Sequence, residues 1–124
     1  MIHVAVVEDD PRYRQSLTTL LAHVPGFELS GAFAAPQPAL AELDAARRLG
    51  REVPWSLVLM DVELPGMSGI EATRRLKAAA PEVAVVVLTV FEEPGTILQA
   101  ICAGADGYLL KRTPADELLS QLRA

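Results

Sequence analysis

The sequence predicts an α/β fold built on a doubly wound parallel sheet of five strands in the order 2-1-3-4-5. Five short apolar runs alternate with five segments of helical periodicity, which is typical of a parallel sheet covered by helices on both faces. Three runs are almost continuously apolar and suit central strands, whereas Phe27–Phe33 and residues 108–110 suit the two edges. With 124 residues, the chain is predicted to form one domain over residues 1–124.

The first two strands and the helix between them have clear boundaries. Ile2–Val7 is an apolar, β-branched run that leads directly into acidic residues. Asp10 and Pro11 suit the N-cap and the first position of a helix, and a Pro-Gly pair at residues 25–26 ends that helix. Apolar and polar side chains alternate in Phe27–Phe33, which predicts a half-exposed strand.

The later elements are bounded by proline, glycine and capping residues. Ser68 and Glu71 form a Ser-x-x-Glu pattern, which is typical of a helix N-terminus. Gly104 suits the C-terminal end of a helix. The predicted elements are helices over residues 36–49, 68–80 and 94–103, a last helix from about residue 113, and strands over residues 56–60, 83–88 and 107–110.

Composition excludes several classes of function. The net charge of −5 argues against a chain that itself binds nucleic acid, because such binding needs a basic surface. The single cysteine, Cys102, cannot form an internal disulfide, so a reducing cytoplasm is the expected compartment. No apolar run approaches the ~20 residues of a membrane span, and no basic leader precedes the first run, so neither a membrane segment nor a secretory signal is expected.

Three carboxylates are predicted to meet at the carboxyl edge of the sheet. Glu8 and Asp9 follow the first strand and Asp61 follows the third, and these strands are neighbours in the predicted order. Three ionised carboxylates repel one another unless a cation joins them or a proton is shared. Hard oxygen ligands on an open edge suit Mg²⁺, which keeps several waters and recruits phosphate oxygens.

A hydroxyl and an ammonium are predicted at the same edge. Thr89 ends the fourth strand and Lys111 follows the fifth. Together with a metal-bound carboxylate they form a set that binds a phosphoryl group, with Asp61 as the nucleophile that accepts it. Each residue alone has a plainer explanation as a solvated acid, a strand threonine or a surface lysine. Their coincidence on four strand ends favours the joint site.

Four motifs carry a resemblance to a known family. They are residues 6–11 (Val-Val-Glu-Asp-Asp-Pro), residues 59–69, residues 87–89 (Val-Leu-Thr) and residues 104–111 (Gly-Ala-Asp-Gly-Tyr-Leu-Leu-Lys). Over essentially its whole length the chain resembles the receiver domains of bacterial two-component response regulators. The last motif is most similar to the NarL/FixJ group, whose members usually carry a LuxR-type DNA-binding domain. The resemblance implies a flavodoxin-like (βα)5 fold.

The resemblance also implies a role for each matching residue. Asp61 becomes the phosphoacceptor, and Glu8, Asp9, Asp61 and the backbone carbonyl of Glu63 hold Mg²⁺. The two residues that bind the phosphoryl group are Thr89 and Lys111.

A conformational switch and a set of partners follow from the same resemblance. Thr89 and Tyr108 form the switch pair, and the chain is expected to be a phosphorylation-dependent switch rather than an enzyme. The resemblance implies that it promotes its own phosphotransfer and autodephosphorylation. The implied partners are a sensor histidine kinase, a second copy in a homodimer as one option, and DNA only through an effector domain outside this chain. A stand-alone receiver that acts by protein–protein interaction is the alternative.

Three positions depart from the common family pattern, and one segment is longer than expected. Lys111 is followed by Arg112 where many relatives have proline, so no proline-dependent cis peptide bond is expected there. Glu8 replaces the commoner aspartate and is expected to hold metal, including through water. Val90 and Phe91 follow Thr89, and together with Glu63 they are predicted to flank the path of water to the acyl phosphate. The bulky, apolar Val90 and Phe91 are predicted to slow its hydrolysis. Residues 39–54 are a few more than expected between the second and third strands, which suggests an extended helix.

Three rival functions fit the residues less well. A hydrolase of the haloacid-dehalogenase type needs an Asp-x-Asp motif at the end of the first strand, where residues 8–10 read Glu-Asp-Asp. A flavin-binding protein of the same fold needs a phosphate-binding loop there, and three acids would repel the phosphate. A docking module that is never phosphorylated would not need the complete set of site residues.

Overall fold

The computed structural model describes residues 1–90 and 93–123. The strands are β1 (Ile2–Val7), β2 (Phe27–Phe33), β3 (Leu57–Asp61), β4 (Ala84–Thr89) and β5 (Gly107–Leu110). The helices are α1 (Pro11–His23), α2 (Pro36–Arg48), α3 (Gly69–Ala79), α4 (Pro94–Cys102) and α5 (Ala115–Arg123). Strands and helices alternate along the chain as predicted, and every predicted boundary lies within two residues of the observed one.

The five strands form one parallel sheet in the order β2-β1-β3-β4-β5. This confirms the flavodoxin-like, doubly wound topology and places β2 and β5 at the edges. Because parallel strands point the same way, the residues that follow β1, β3, β4 and β5 all lie along one edge. The register aligns them further, since Val7 of β1 lies opposite Met60 of β3. Glu8 and Asp61 therefore leave neighbouring strands side by side.

The core consists of two apolar layers, one on each face of the sheet. Alternate residues of each central strand point to opposite faces, so a strand buried on both faces must be apolar throughout. One layer packs α1 and α5 on the sheet through Leu17, Leu21, Leu118, Leu119 and Leu122. The other layer packs α2, α3 and α4 through Ala39, Leu43, Ala72, Leu76 and Ala100.

The extra length between β2 and β3 lies in a loop and not in an extended helix. α2 has 13 residues and ends at Arg48, after which Gly50 adopts a positive φ of 68° that glycine accommodates without steric cost. Trp55 is buried and anchors the loop against the α2–α3–α4 layer. The expectation of a longer helix is wrong because the glycine ends the helix before the additional residues.

None of the helices in the described part of the chain is both long enough and apolar enough to cross a lipid bilayer.

Candidate functional site

Glu8 lies at the end of β1 and is fully buried. Its backbone N–H donates to the carbonyl of Phe33 over 2.9 Å, and its Oε2 accepts from the backbone N–H of Asp10 over 3.1 Å. Arg14, one turn into α1, donates from Nη1 to the carbonyl oxygen of Glu8 over 2.7 Å. The loop after β1 is thus held from both sides, and a buried carboxylate in such a position requires a cationic partner.

Asp61 is the last residue of β3 and is only 2% exposed. Its Oδ1 accepts from the backbone N–H of Glu63 over 3.3 Å. The chain then folds back closely, because the N–H of Gly69 donates to the carbonyl of Val62 over 2.9 Å. A Cβ atom at position 69 would lie 1.8 Å from the carbonyl oxygen of Asp61, so only glycine fits there. The start of α3 therefore determines the position of the Asp61 backbone.

Lys111 joins the two buried carboxylates. Its Nζ lies 2.6 Å from Oε1 of Glu8 and 3.2 Å from Oδ1 of Asp61. Its backbone N–H donates to the carbonyl of Thr89 over 2.9 Å, which ties the residue to the end of β4. The same ammonium lies 5.0 Å from the centre of the Tyr13 ring. Lys111 is thus enclosed by two acids and one aromatic face.

The site holds two buried carboxylates, Glu8 and Asp61, beside a single ammonium. Burial raises the pKa of Asp61 to about 7, and the hydrogen bond with Glu8 and its charge act in the same direction, while the attraction of Lys111 opposes them. Burial acts to lower the pKa of Lys111, but hydrogen bonds and charges from Glu8 and Asp61 outweigh it and leave that pKa raised. The ammonium stays charged, yet one cation does not offset two adjacent carboxylates.

The donor set fits a divalent cation. Glu8, Asp9 and Asp61 each offer a carboxylate oxygen, and these oxygens lie within 4.8 Å of one another. Asp9 is exposed, whereas the other two are buried, so a cation would enter from the side of Asp9 and retain water there. Burial, with the hydrogen bond and the charge of Glu8, raises the pKa of Asp61, and a bound cation would favour its ionised form. Oxygen ligands of this kind suit Mg²⁺.

Thr89 and Tyr108 lie on one face of the sheet. Thr89 is buried at the end of β4 opposite Leu110, and Tyr108 lies opposite Val87, two residues back on both strands. Side chains two residues apart point to the same face of a strand. The Tyr108 side chain is 43% exposed.

The structure brings most of the predicted site residues together. Glu8, Asp9, Asp61 and Lys111 form one cluster, and Thr89 lies on the same edge. The backbone of Glu63 is adjacent to Asp61.

The predicted path of water to the acyl phosphate involves Val90 and Phe91. Val90 follows β4 and its side chain is largely exposed. Phe91 lies outside the described residues.

Sequence reasoning missed two residues of α1 that contact the site. They are Tyr13, whose ring faces Lys111, and Arg14, which binds the carbonyl of Glu8. A signal was available, because a helix that begins directly after the acids must place its first turn beside them. Tyr13 was instead assigned to the apolar face of the helix, which it also joins.

Comparisons with known proteins agree with this geometry. The profile of a family described as "Response regulator receiver domain" matches residues 4–123. Response regulator GacA of Pseudomonas aeruginosa is 37% identical over 123 residues, which are 99% of this chain and 54% of that protein. Nitrate/nitrite response regulator protein NarP of Escherichia coli is 33% identical over 121 residues, which are 98% of this chain and 53% of that protein. The chain spans about half the length of these curated relatives.

A solved structure supports the same assignment. A LuxR-family two-component response regulator from Aurantimonas sp. SI85-9A1 is 27% identical and superposes with a TM-score of 0.83, covering 99% of this chain and 83% of that chain. A CheY-like receiver domain protein from Methanospirillum hungatei, 24% identical with a TM-score of 0.84, covers 99% of this chain and 91% of its own and shares the fold. The chain belongs to the response regulator receiver domain family of two-component systems, in its NarL/FixJ group.

Proposed function

We propose that Asp61 accepts a phosphoryl group from the phosphohistidine of a sensor histidine kinase. The observation that carries this proposal is a buried carboxylate, at the carboxyl edge of the sheet, whose Oδ1 lies 3.2 Å from the ammonium of Lys111. A carboxylate oxygen of Asp61 attacks phosphorus and forms the new P–O bond. The P–N bond to the donor imidazole breaks, and its electron pair returns to the imidazole nitrogen.

Two side chains stabilise the transferred group in this proposal. The Lys111 ammonium exchanges part of its contact with Glu8 for a phosphoryl oxygen, and the Thr89 hydroxyl donates to another. Lys111 already contacts Asp61 at 3.2 Å, and its backbone N–H donates to the carbonyl of Thr89. The same arrangement promotes phosphotransfer from small acyl phosphates and the later hydrolysis of the acyl phosphate.

Magnesium is the proposed cofactor. Glu8, Asp9, Asp61 and the backbone carbonyl of Glu63 would hold it, and it supplies positive charge that neutralises phosphoryl oxygens. The close set of carboxylates and the raised pKa of Asp61 support this assignment.

The two flanking acids are expected to contribute unequally to metal affinity. Asp9→Ala is predicted to weaken Mg²⁺ binding more than Glu8→Ala, because Glu8 is already paired with Lys111 and acts in part through water. Calorimetric titration of each variant with Mg²⁺ tests the order. Equal affinity of the wild type and Asp9→Ala would contradict it.

The output proposed for the phosphorylated chain is a change in the surface formed by α4, β5 and α5. Inward movement of Thr89 toward the phosphoryl group vacates space into which the Tyr108 ring turns. Tyr108 on β5 is 43% exposed, so this surface presents an aromatic side chain to a partner. Docking at that surface would differ between the two states.

The proposed partners follow from the family. They are a sensor histidine kinase as phosphoryl donor, a second copy of the chain in a homodimer, and DNA contacted only through an effector domain outside this chain. Transcriptional control is supported by Transcriptional regulatory protein DesR of Bacillus subtilis, which is 33% identical over 124 residues that make up 58% of its length. A stand-alone receiver that acts through protein contacts remains the alternative. The proposed compartment is the cytoplasm, where the exposed thiol of Cys102 stays reduced.

Intact-mass measurement with Mg²⁺ and acetyl phosphate tests the phosphoacceptor. The wild type is expected to gain one phosphoryl group and Asp61→Asn to gain none. Asp44→Asn is the matched control, because Asp44 is an exposed aspartate on α2 and its variant should be labelled like the wild type. Full labelling of Asp61→Asn would overturn the assignment.

A further inference from the structure

The Tyr13 ring forms one wall of the Lys111 site. The ammonium lies 5.0 Å from the ring centre, inside the ~6 Å range over which an aromatic face attracts a cation. On its other side the same ammonium contacts Glu8 at 2.6 Å and Asp61 at 3.2 Å. The lysine head is therefore enclosed between two carboxylates and a ring.

The position of the ring is set by α1. Tyr13 lies in the first turn of this helix, which Asp10 caps by accepting the N–H of Arg12 over 3.0 Å. The next residue, Arg14, is bound to the carbonyl of Glu8. The turn that carries the ring is thus hydrogen-bonded to the same loop that carries Glu8 and Asp9.

Apolar neighbours hold the ring from behind. Tyr13 packs against the α1–α5 layer of the core, and it lines a cavity of about 270 Å³ together with Leu17, Leu20, Leu118 and the Lys111 side chain. The ring is half-buried, so it shields one side of the ammonium from water. A charge shielded in this way interacts more strongly with a neighbouring anion.

The Lys111 side chain needs further contacts to hold its ammonium in one position. Its four-carbon stem has many rotamers, and Glu8, the nearer acid, would draw the ammonium away from Asp61. The Tyr13 ring adds a third contact to the same ammonium, at 5.0 Å, and so restricts the positions that it can adopt. The contact is with the ring face, so the phenolic hydroxyl is not required for it.

We infer that Tyr13 is a positioning residue that holds the Lys111 ammonium beside Asp61 through a cation–π contact and so speeds phosphoryl transfer. This role rests on the proposed function of Asp61 and Lys111, but the contact itself exists before any phosphorylation. The effect on the rate constant for phosphorylation is expected to be about three- to tenfold, the range that corresponds to one partly shielded cation–π contact.

The contact is tested first by NMR in metal-free, unphosphorylated protein. The chain has two lysines, Lys77 and Lys111, so lysine-selective labelling yields two sets of side-chain signals. Lys77 is held by carbonyl and carboxylate oxygens and serves as the internal reference. The ε-methylene protons of Lys111 are expected to resonate upfield of those of Lys77 in the wild type and in Tyr13→Phe, and to lose that shift in Tyr13→Leu.

The consequence is tested by phosphorylation kinetics with acetyl phosphate and Mg²⁺. Tyr13→Leu should lower the maximal rate constant three- to tenfold, with little change in the acetyl phosphate concentration that gives half-saturation. Tyr13→Phe keeps the ring face, so its rate constant should stay within about twofold of the wild-type value. Val24→Ala, a truncation at the C-terminal end of the same helix that packs against the same core layer but does not line this cavity, controls for general loosening and should leave the rate constant nearly unchanged.

The outcomes separate this role from the proposed function. Wild-type protein that is not labelled at Asp61 would refute the proposed function while leaving the NMR contact intact. An unshifted Lys111 signal in the wild type, equal rate constants for wild type and Tyr13→Leu, or a Tyr13→Phe variant as slow as Tyr13→Leu would each overturn the positioning role.

Discussion

At the scale of single residues, Asp61 has an electrostatic environment that opposes folding and favours function. Its burial next to Glu8 makes ionisation costly in the absence of metal, which is why its pKa rises to about 7. The same cost makes the site receptive to a divalent cation. Bound Mg²⁺ would stabilise the ionised form of this buried carboxylate.

The raised pKa of Asp61 predicts a pH dependence of stability in metal-free protein. In the unfolded chain an aspartate titrates near pH ~3.9, so its contribution to stability is fully present below that value. It is lost as the pH rises through about 7 in the folded protein. Between pH ~5 and ~8, the wild type should therefore lose roughly 2–3 kcal/mol of unfolding free energy relative to Asp61→Asn.

Urea unfolding in EDTA at several pH values tests this expectation. Asp44→Asn, which alters an exposed aspartate, should follow the wild-type profile. Parallel profiles for wild type and Asp61→Asn would show that Asp61 ionises without cost. Added Mg²⁺ should reduce the difference, because bound metal stabilises the ionised carboxylate.

At the scale of secondary-structure elements, the start of α3 is fitted to the end of β3. The Ser68 hydroxyl accepts the N–H of Glu71 over 3.2 Å, as the capping pattern predicted. This cap places Gly69 against the carbonyl of Asp61, with no room for a side chain. The start of α3 and the position of the Asp61 backbone are therefore coupled.

Gly69→Ala is predicted to disturb both the start of α3 and the position of Asp61. Its Cβ would lie 1.8 Å from the Asp61 carbonyl oxygen, so the backbone must shift, at a cost of about 3 kcal/mol or more in unfolding free energy. Labelling of Asp61 by acetyl phosphate should also slow. Gly95→Ala is the control, because Gly95 lies in α4 with open space around it, and alanine there should be neutral or stabilising. Wild-type stability of Gly69→Ala would contradict the fitted packing.

A second prediction at this scale concerns the edge of the sheet opposite the site. Lys77 of α3 donates to the carbonyls of Pro81 and Val83 over 3.0 and 2.9 Å, and to Oδ2 of Asp106 over 3.0 Å. The same oxygen accepts the N–H of Val85 over 2.8 Å. Lys77→Met keeps the stem but loses these donors, and it should lower the free energy of unfolding by about 1–3 kcal/mol.

Denaturant unfolding measures the loss, and phosphorylation should persist because the site lies at the other edge. Arg74→Ala provides the contrast. Arg74 forms an exposed pair with Glu71 at 3.2 Å, and its removal should cost at most about 0.5 kcal/mol. If Lys77→Met were no less stable than Arg74→Ala, the hydrogen bonds of Lys77 would not contribute to stability as predicted.

At the scale of the whole molecule, the fold connects the site to distant surfaces through rigid elements. α5 is held to the opposite end of the sheet, because Arg123 donates to the carbonyl of Pro25 over 3.1 Å and its guanidinium lies 5.3 Å from the Phe27 ring centre. The proposed switch acts between such fixed elements. Moving an equilibrium from about 1:99 to 99:1 takes roughly 5.5 kcal/mol, which a few charge-assisted hydrogen bonds of ~1.5–3 kcal/mol each can supply.

Thr89→Ala is predicted to uncouple the site from the α4–β5–α5 surface. The variant should still be phosphorylated on Asp61, but it lacks the hydroxyl that we propose draws the end of β4 inward. Amide chemical shifts with and without beryllofluoride, a phosphoryl mimic, should change much less over α4 and β5 than in the wild type. Thr18→Ala, on α1, is the control and should respond fully. A full response of Thr89→Ala would mean that the signal leaves by another route.

The sequence alone determined the topology and most of the site. Apolar runs that are buried on both faces, separated by capped helices, admit few arrangements other than a parallel sheet with two helical layers. That arrangement brings the ends of its strands to one edge, so Glu8, Asp61, Thr89 and Lys111 could be grouped from their positions along the chain. These properties follow from local periodicity and chain direction.

Only the tertiary structure decided how those groups meet. The complete burial of Glu8, the division of Lys111 between two acids and the facing ring of Tyr13 depend on distances between parts of the chain far apart in sequence. The pKa of Asp61 depends on the same distances, because desolvation and charge interactions act through space. Local sequence patterns carry no record of such distances, which are set by packing of the completed core.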